Sequence, residues 1–382
     1  GRERFLLMLA SDFDMHEATI NSLAERYIAA TEVEKNQLRL QLREALTSPR
    51  SVILKQFTAL PDGFTFLVNM RADLLAFTSK DPMFKALEMD LKEILSTWFD
   101  IGLLDLVEIT WNTPASLLEK LIEYEAVHKI VSWDDLKNRL DADRRVFAFF
   151  HPKMPKEPLI FVHVALVNGM SDNIQALLDE KSPVTNVKTA DTAIFYSISN
   201  AQRGLAGISF GNFLIKRVVA LLTEEMPQLK YFATLSPIPG FRNWLEKNAE
   251  AVLSAKELAD IKQWPNGQNG LMALLDSPWQ EDTTLVAALK PVLMQLAATY
   301  LCNAKQSGKP LDPVANFHLF NGARLERLNW LADRSAKGLR QSAGMMVNYA
   351  YRLAEIDENH EEFVMNGKIV AASQVRGYLA TG

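Results

Sequence analysis

The 382-residue chain contains one cysteine, Cys302. A single thiol can form neither an internal disulfide nor a cysteine-rich zinc site, so the fold must hold by packing alone. The six histidines are scattered, with no H-x-x-x-H pair among them, and no metal site is expected. Charge of neither sign dominates. There are 41 Lys and Arg against 46 Asp and Glu, and residues 1–99 carry 12 basic and 14 acidic side chains while the remainder carries 29 and 32. Without a basic surplus, neither a nucleic-acid platform nor a polybasic membrane patch is expected. No uninterrupted apolar run reaches the roughly 18 residues of a membrane span, so no membrane partner is expected. Internal repeats and low-complexity linkers are also missing from the sequence.

What remains is an ordinary globular balance, 48% apolar and 23% charged. At about 150 residues per domain, this length implies two domains. Gly1 stands where an initiator Met would, and residues 2–10 already read as mid-helix, so the natural N-terminus is expected to lie upstream. No signal peptide is visible, and the ending Ala380-Thr381-Gly382 is no peroxisomal or reticulum signal. The expected compartment is the cytoplasm.

Residues 1–99 read as helical. Leu23, Tyr27, Leu38, Leu42 and Leu46 fall at helical spacings in a stretch, 21–48, free of Gly and Pro, which Pro49 ends. No catalytic residue types cluster there, and the expectation is a packing or homo-oligomerisation domain, dimeric or tetrameric. The character changes near residue 100. Short β-rich runs follow at 106–111, 146–150, 159–166 and 192–197, then a Gly-containing loop, a helix over 211–226, a strand over 230–235, helices over 241–304 and a last strand over 345–351. The fold class is α+β: an all-helical domain, 1–99, followed by an α/β or α+β domain, 100–382, in which strands pair into a sheet and a strand–Gly loop–helix–strand unit follows.

The loop after the fourth run holds Gly204, Gly207 and Gly211, which is neither the dinucleotide nor the P-loop spacing. Backbone N–H groups at such a strand-to-helix junction can still cradle phosphate oxygens, although a plain helix-capping connection has the same composition. Ala206-Gly207-Ile208-Ser209-Phe210-Gly211-Asn212-Phe213-Leu214 resembles the Q-G-x-G-I-G-x-x-L signature with which the GNAT fold holds the coenzyme A pyrophosphate, with Ala206 and Ser209 departing from it. Further blocks are similar to the malonyl-CoA decarboxylase family: Ser236-Pro237-Ile238-Pro239-Gly240, Asn316-Phe317-His318-Leu319 with Asn321-Gly322-Ala323, and Asn69-Met70-Arg71-Ala72-Asp73 in the helical part. The resemblance covers essentially the whole chain.

Read without the family, Ser236 before Pro237 is a helix N-cap with Pro at the first helical position. His318, between Phe317 and Leu319, is a core histidine, with Asn316 and Asn321 near enough to orient a ring or a ligand. His151 and His163 read as structural. The resemblance implies more. Ser236 and His318 would be the catalytic pair, residues 206–212 a coenzyme A-binding loop in a GNAT-like α/β domain with a mixed, mostly antiparallel sheet, and the activity that of a carboxy-lyase of fatty-acid metabolism, turning malonyl-CoA into acetyl-CoA and carbon dioxide. No cofactor is implied. Tyr351, in the last strand, and Lys120 are weaker substrate-binding candidates, each equally at home as a packed tyrosine and a solvated helix lysine. Lys216 and Arg217 could approach phosphates. The alternative functions are a GNAT-type acyltransferase moving an acyl group from coenzyme A to an amine, and a catalytically silent acyl-CoA-binding regulator.

Overall fold

The computed structural model describes residues 17–46, 49–77, 83–99, 101–208 and 214–379. The helix expected over residues 2–10 lies outside them. Contacts divide the chain into two compact units, one formed by residues 1–107, 148–161 and 199–211, the other by 108–147, 162–198 and 212–382.

In the first unit the expected long helix is two, Glu17–Ala29 and Glu32–Leu46. The break has a local cause: the Glu34 carboxylate accepts from the Thr31 backbone N–H at 3.0 Å and its hydroxyl at 2.7 Å, starting a new helix at Thr31. This T-x-x-E capping signal was in the sequence and was passed over. The helix Met83–Trp98 places Phe84, Leu87, Leu91, Ile94 and Leu95 on one buried stripe. The helix Gly63–Phe77 is apolar nearly all round and packs against the turn Arg203–Leu205, where a Cβ on Gly204 would sit 1.8 Å from the Val68 carbonyl oxygen. Only glycine admits that approach.

The strands are β1 (Asp105–Ile109), β2 (Arg144–Phe150), β3 (Pro158–Val167), β4 (Thr192–Asn200), β5 (Tyr231–Thr234), β6 (Ser236–Pro237), β7 (Lys305–Gln306), β8 (Lys309–Pro310), β9 (Arg324–Asn329) and β10 (Met346–Ala350). β7 and β8 form a separate hairpin. The main sheet runs β1-β2-β3-β4-β5-β10-β6, with β9 also on β10. It is mixed: β4 and β5 are parallel, whereas β10 is antiparallel to β5, β6 and β9. β2 and β3 are almost continuously buried, which is why they read as unbroken apolar runs. The fold class is therefore the expected α+β.

Two readings are corrected in the second unit. Ser236 caps no helix; it lies in β6 opposite Val347, and the next helix, Phe241–Val252, starts after Gly240. β9 was missed because its Arg324, Glu326 and Arg327 hide any apolar alternation. The stretch 241–304 is helical as expected, in pieces ending with Thr283–Asn303. That last helix, at 21 residues, is by length and composition long and apolar enough to cross a membrane, although it holds no uninterrupted apolar run of that length. Lys290 and Pro291 interrupt the run in sequence but not the helix, and Leu289, Leu293, Leu296 and Leu301 are buried in the fold as core residues.

Candidate active site

In the second unit, β5 and β6 are one strand interrupted at Leu235, both lying along β10. The parallel pairing of β4 with β5 is recorded as far as Phe195 opposite Thr234. Pro237 has no N–H to extend the ladder, and β6 stops there. His318 arrives from the helix Pro313–Phe320, whose start is fixed by Asp312 as N-cap and Pro313 at its first position.

These elements bring three expected residues together. Ser236 Oγ lies 3.1 Å from His318 Nε2, and His318 Nδ1 lies 2.7 Å from the Tyr351 hydroxyl. Ser236 Oγ also bonds Thr234 Oγ1 at 2.8 Å, which in turn accepts the Tyr349 backbone N–H at 3.1 Å. With Ser236 donating to Thr234, the chain runs in one direction: Tyr351 donates to Nδ1, and Nε2–H donates to Ser236. Tyr349 stacks on the imidazole at 4.6 Å between centroids, and Phe195 meets Tyr351 edge-on at 6.3 Å.

Ser236, His318 and Tyr351 are all buried. Burial lowers the His318 pKa to about 3, so the ring is neutral at physiological pH. The same desolvation holds the Tyr351 phenol well above its ordinary value. Asn321 bonds the Phe317 carbonyl oxygen rather than the imidazole, completing its own helix end.

The other candidates are separate from this chain of contacts. Lys120 is half-buried on the helix Ala115–Tyr124, and the described contacts do not place it at the pair. Lys216 bonds Asp357 at 2.7 Å. His151, as expected, packs structurally, between Phe64 and Phe99 in the first unit.

Of the glycine loop, Ala206, Gly207 and Ile208 are described; Ser209, Phe210, Gly211 and Asn212 lie outside the described residues. Ala206 and Gly207 are exposed, and Gly207 has the left-handed φ of 69°. Sequence reasoning passed over the group that holds this segment. Arg71, buried in the first unit, donates to the carbonyl oxygens of Gly204 at 2.6 Å and Ala206 at 2.9 Å and pairs with Glu88 at 2.6 Å. A Cβ on Gly207 would face the Lys92 amine at 3.8 Å, which brings a cation to the loop. Nothing in the linear spacing links residues 71 or 92 to 206.

A second buried polar cluster was also missed. Glu125 accepts from the Ser197 hydroxyl at 2.7 and 2.8 Å and lies 3.2 Å from His163. Burial raises the Glu125 pKa, but His163 and the His128 and Ser197 hydrogen bonds outweigh that and bring it down to about 2.

A neutral imidazole thus lies between a serine and a tyrosine beside β6 of a mixed sheet, an arrangement able to hold or pass a proton, in a protein of the α+β class. The chain matches the family model "Malonyl-CoA decarboxylase N-terminal domain" over residues 13–99 and "Malonyl-CoA decarboxylase C-terminal domain" over residues 102–382. It is 38% identical to the mitochondrial malonyl-CoA decarboxylase of Anser anser anser, over 99% of this chain and 80% of that protein. The crystal structure of malonyl-CoA decarboxylase from Rhodopseudomonas palustris superimposes with a TM-score of 0.89 at 44% identity, covering 98% of this chain and 89% of that one. That from Agrobacterium vitis gives 0.87 at 42%, covering 100% and 91%. The chain belongs to the malonyl-CoA decarboxylase family, and with it to the carboxy-lyases.

Proposed function

We propose that this protein converts malonyl-CoA to acetyl-CoA and carbon dioxide, with Ser236 and His318 as the reacting pair. The observation that carries this reading is the Ser236–His318–Tyr351 hydrogen-bond chain. In a malonyl thioester the carboxylate is β to the thioester carbonyl, so loss of carbon dioxide leaves an enolate and the substrate is its own electron sink. The protein has to orient the breaking C–C bond, stabilise the enolate oxygen and protonate the α-carbon.

Ser236 donates to the malonyl carboxylate and holds it. His318 delivers a proton from Nε2 to the α-carbon once carbon dioxide has left. Tyr351 on Nδ1 holds the ring in place, its hydroxyl donating to the neutral imidazole and accepting from Nδ1–H of the imidazolium. The malonyl carboxylate is the opposite charge that favours imidazolium, so the proton enters with substrate, one per turnover. Residues 206–212 receive the coenzyme A phosphates, as their similarity to the GNAT pyrophosphate signature supports.

The direct test is purified protein with malonyl-CoA, following acetyl-CoA and carbon dioxide with and without an amine. Acetyl-CoA formed without acceptor is expected. Acceptor-dependent acylation would make the protein an acyltransferase, and binding without turnover a silent acyl-CoA-binding protein. Because the thioester delocalises the charge, full activity is expected after exhaustive chelation. Loss that one divalent ion specifically restores would refute the metal-free scheme.

A further inference from the structure

We propose that Asp312 is a positioning residue that sets the Ser236–His318 distance by tying the segment that carries the serine to the helix that carries the histidine. Its side chain is buried. Oδ1 accepts from the backbone N–H groups of Val314 at 3.0 Å and Ala315 at 2.9 Å, anchoring the eight-residue helix in whose last turn His318 lies. The other carboxylate oxygen faces the segment that carries the serine. Gly240 stands on the Oδ2 side, since a Cβ there would lie 3.8 Å from Oδ2, and the Tyr300 hydroxyl donates to that oxygen at 3.4 Å. Gly240 closes Ser236-Pro237-Ile238-Pro239-Gly240, whose two prolines stiffen the path back to Ser236.

A helix cap alone does not require this group. Ser, Thr or Asn would serve, without the cost of a buried charge. Among the described residues Asp312 has no ion-pair partner, and burial raises its pKa. What a carboxylate offers and those caps do not is an acceptor oxygen on both sides at once. One side serves the histidine helix and the other the serine segment. The inference rests on the reading of Ser236 and His318 as the reacting pair.

Asp312→Asn tests it. The amide has one acceptor oxygen. With that oxygen on the helix, the cap survives and the amide NH2 replaces the acceptor that faces Gly240 and the Tyr300 hydroxyl. The variant is expected to keep its cooperative unfolding and, within about twofold, its KM for malonyl-CoA, while kcat falls by up to about 10²-fold, the loss that a displacement of about 1 Å brings. Ser236→Ala made in that background should cost less than in the parent, because the pair is already separated. Asp312→Ser, a neutral cap, carries the same expectation should the amide fail to fold. If Ser236→Ala and His318→Asn each lower kcat but Asp312→Asn and Asp312→Ser do not, the strap is overturned and the reacting pair stands. If Ser236→Ala and His318→Asn leave kcat unchanged, the pair itself is wrong and the strap falls with it.

Discussion

His318→Asn is expected to lower kcat by about 10²–10⁴-fold, the range for removing a positioned general acid, with the KM for malonyl-CoA little changed. The asymmetry follows from when the group acts. A proton delivered to the α-carbon is an interaction of the transition state, and its loss appears in kcat and kcat/KM alike. Ser236→Ala should lower kcat and also raise KM, since its hydroxyl holds the carboxylate in the ground state as well. Groups 3.1 Å apart acting as one unit are not additive, so the double variant should lose little more than the worse single one. In the parent, kcat should fall as pH rises through the imidazole pKa of the substrate complex, a value lifted above the free enzyme's value of about 3 by the substrate carboxylate. That limb should vanish in His318→Asn. Steady-state kinetics across pH decide it: multiplying losses with the limb retained would give the proton to another group.

The same depressed pKa has a consequence for stability. The unfolded chain protonates His318 below about 6.5, the folded one only near 3, so acidification through that window favours unfolding and His318→Asn should weaken the dependence.

The second large effect is expected at Arg71. Arg71→Met removes the buried partner of the half-buried Glu88 and leaves the Gly204 and Ala206 carbonyls without their donor. A buried polar group left without its partner costs about 1–3 kcal/mol, so the thermal midpoint should fall clearly. Coenzyme A affinity, measured by calorimetry well below that midpoint, should fall too, because the carbonyls that Arg71 turns inward set the direction of the N–H groups next along the chain. Arg71→Lys is the informative control. It keeps the charge but lacks the planar fork that reaches two carbonyls and a carboxylate together, so it should recover stability more than affinity. Unchanged coenzyme A binding in a folded Arg71→Met protein would detach this segment from the phosphate site.

Much of this could be read before any coordinates. The apolar runs of β2, β3 and β4 announced themselves because buried strands have no polar face to confuse the pattern. Ser236, His318 and Tyr351 were named, but only through the family resemblance. Taken singly, each was as good a cap, core histidine or packed tyrosine, and what makes them a site is a proximity across 82 and 33 residues that no local spacing encodes. Arg71 and the Glu125 cluster were illegible for the same reason, since their partners lie 133 and 72 residues away. The Thr31 break was a different kind of miss. Its signal was local and complete, and absence of Gly and Pro was mistaken for continuity of helix.

β10 leaves one further consequence. Val347 sits across from Ser236, Tyr349 covers the imidazole and Tyr351 bonds it, while Asn348 bonds the Thr234 carbonyl oxygen at 2.6 Å. The two tyrosines share a side of the strand because they are two residues apart, and Asn348 falls on the other. The site is thus a matter of odd and even. One residue gained or lost in the turn at Ala343 and Gly344 would exchange the two sets, turning both phenols away from His318 and an amide toward it. The sheet could still form, but the hydrogen-bond chain through His318 could not, so the length of that turn is as much a part of this arrangement as the serine.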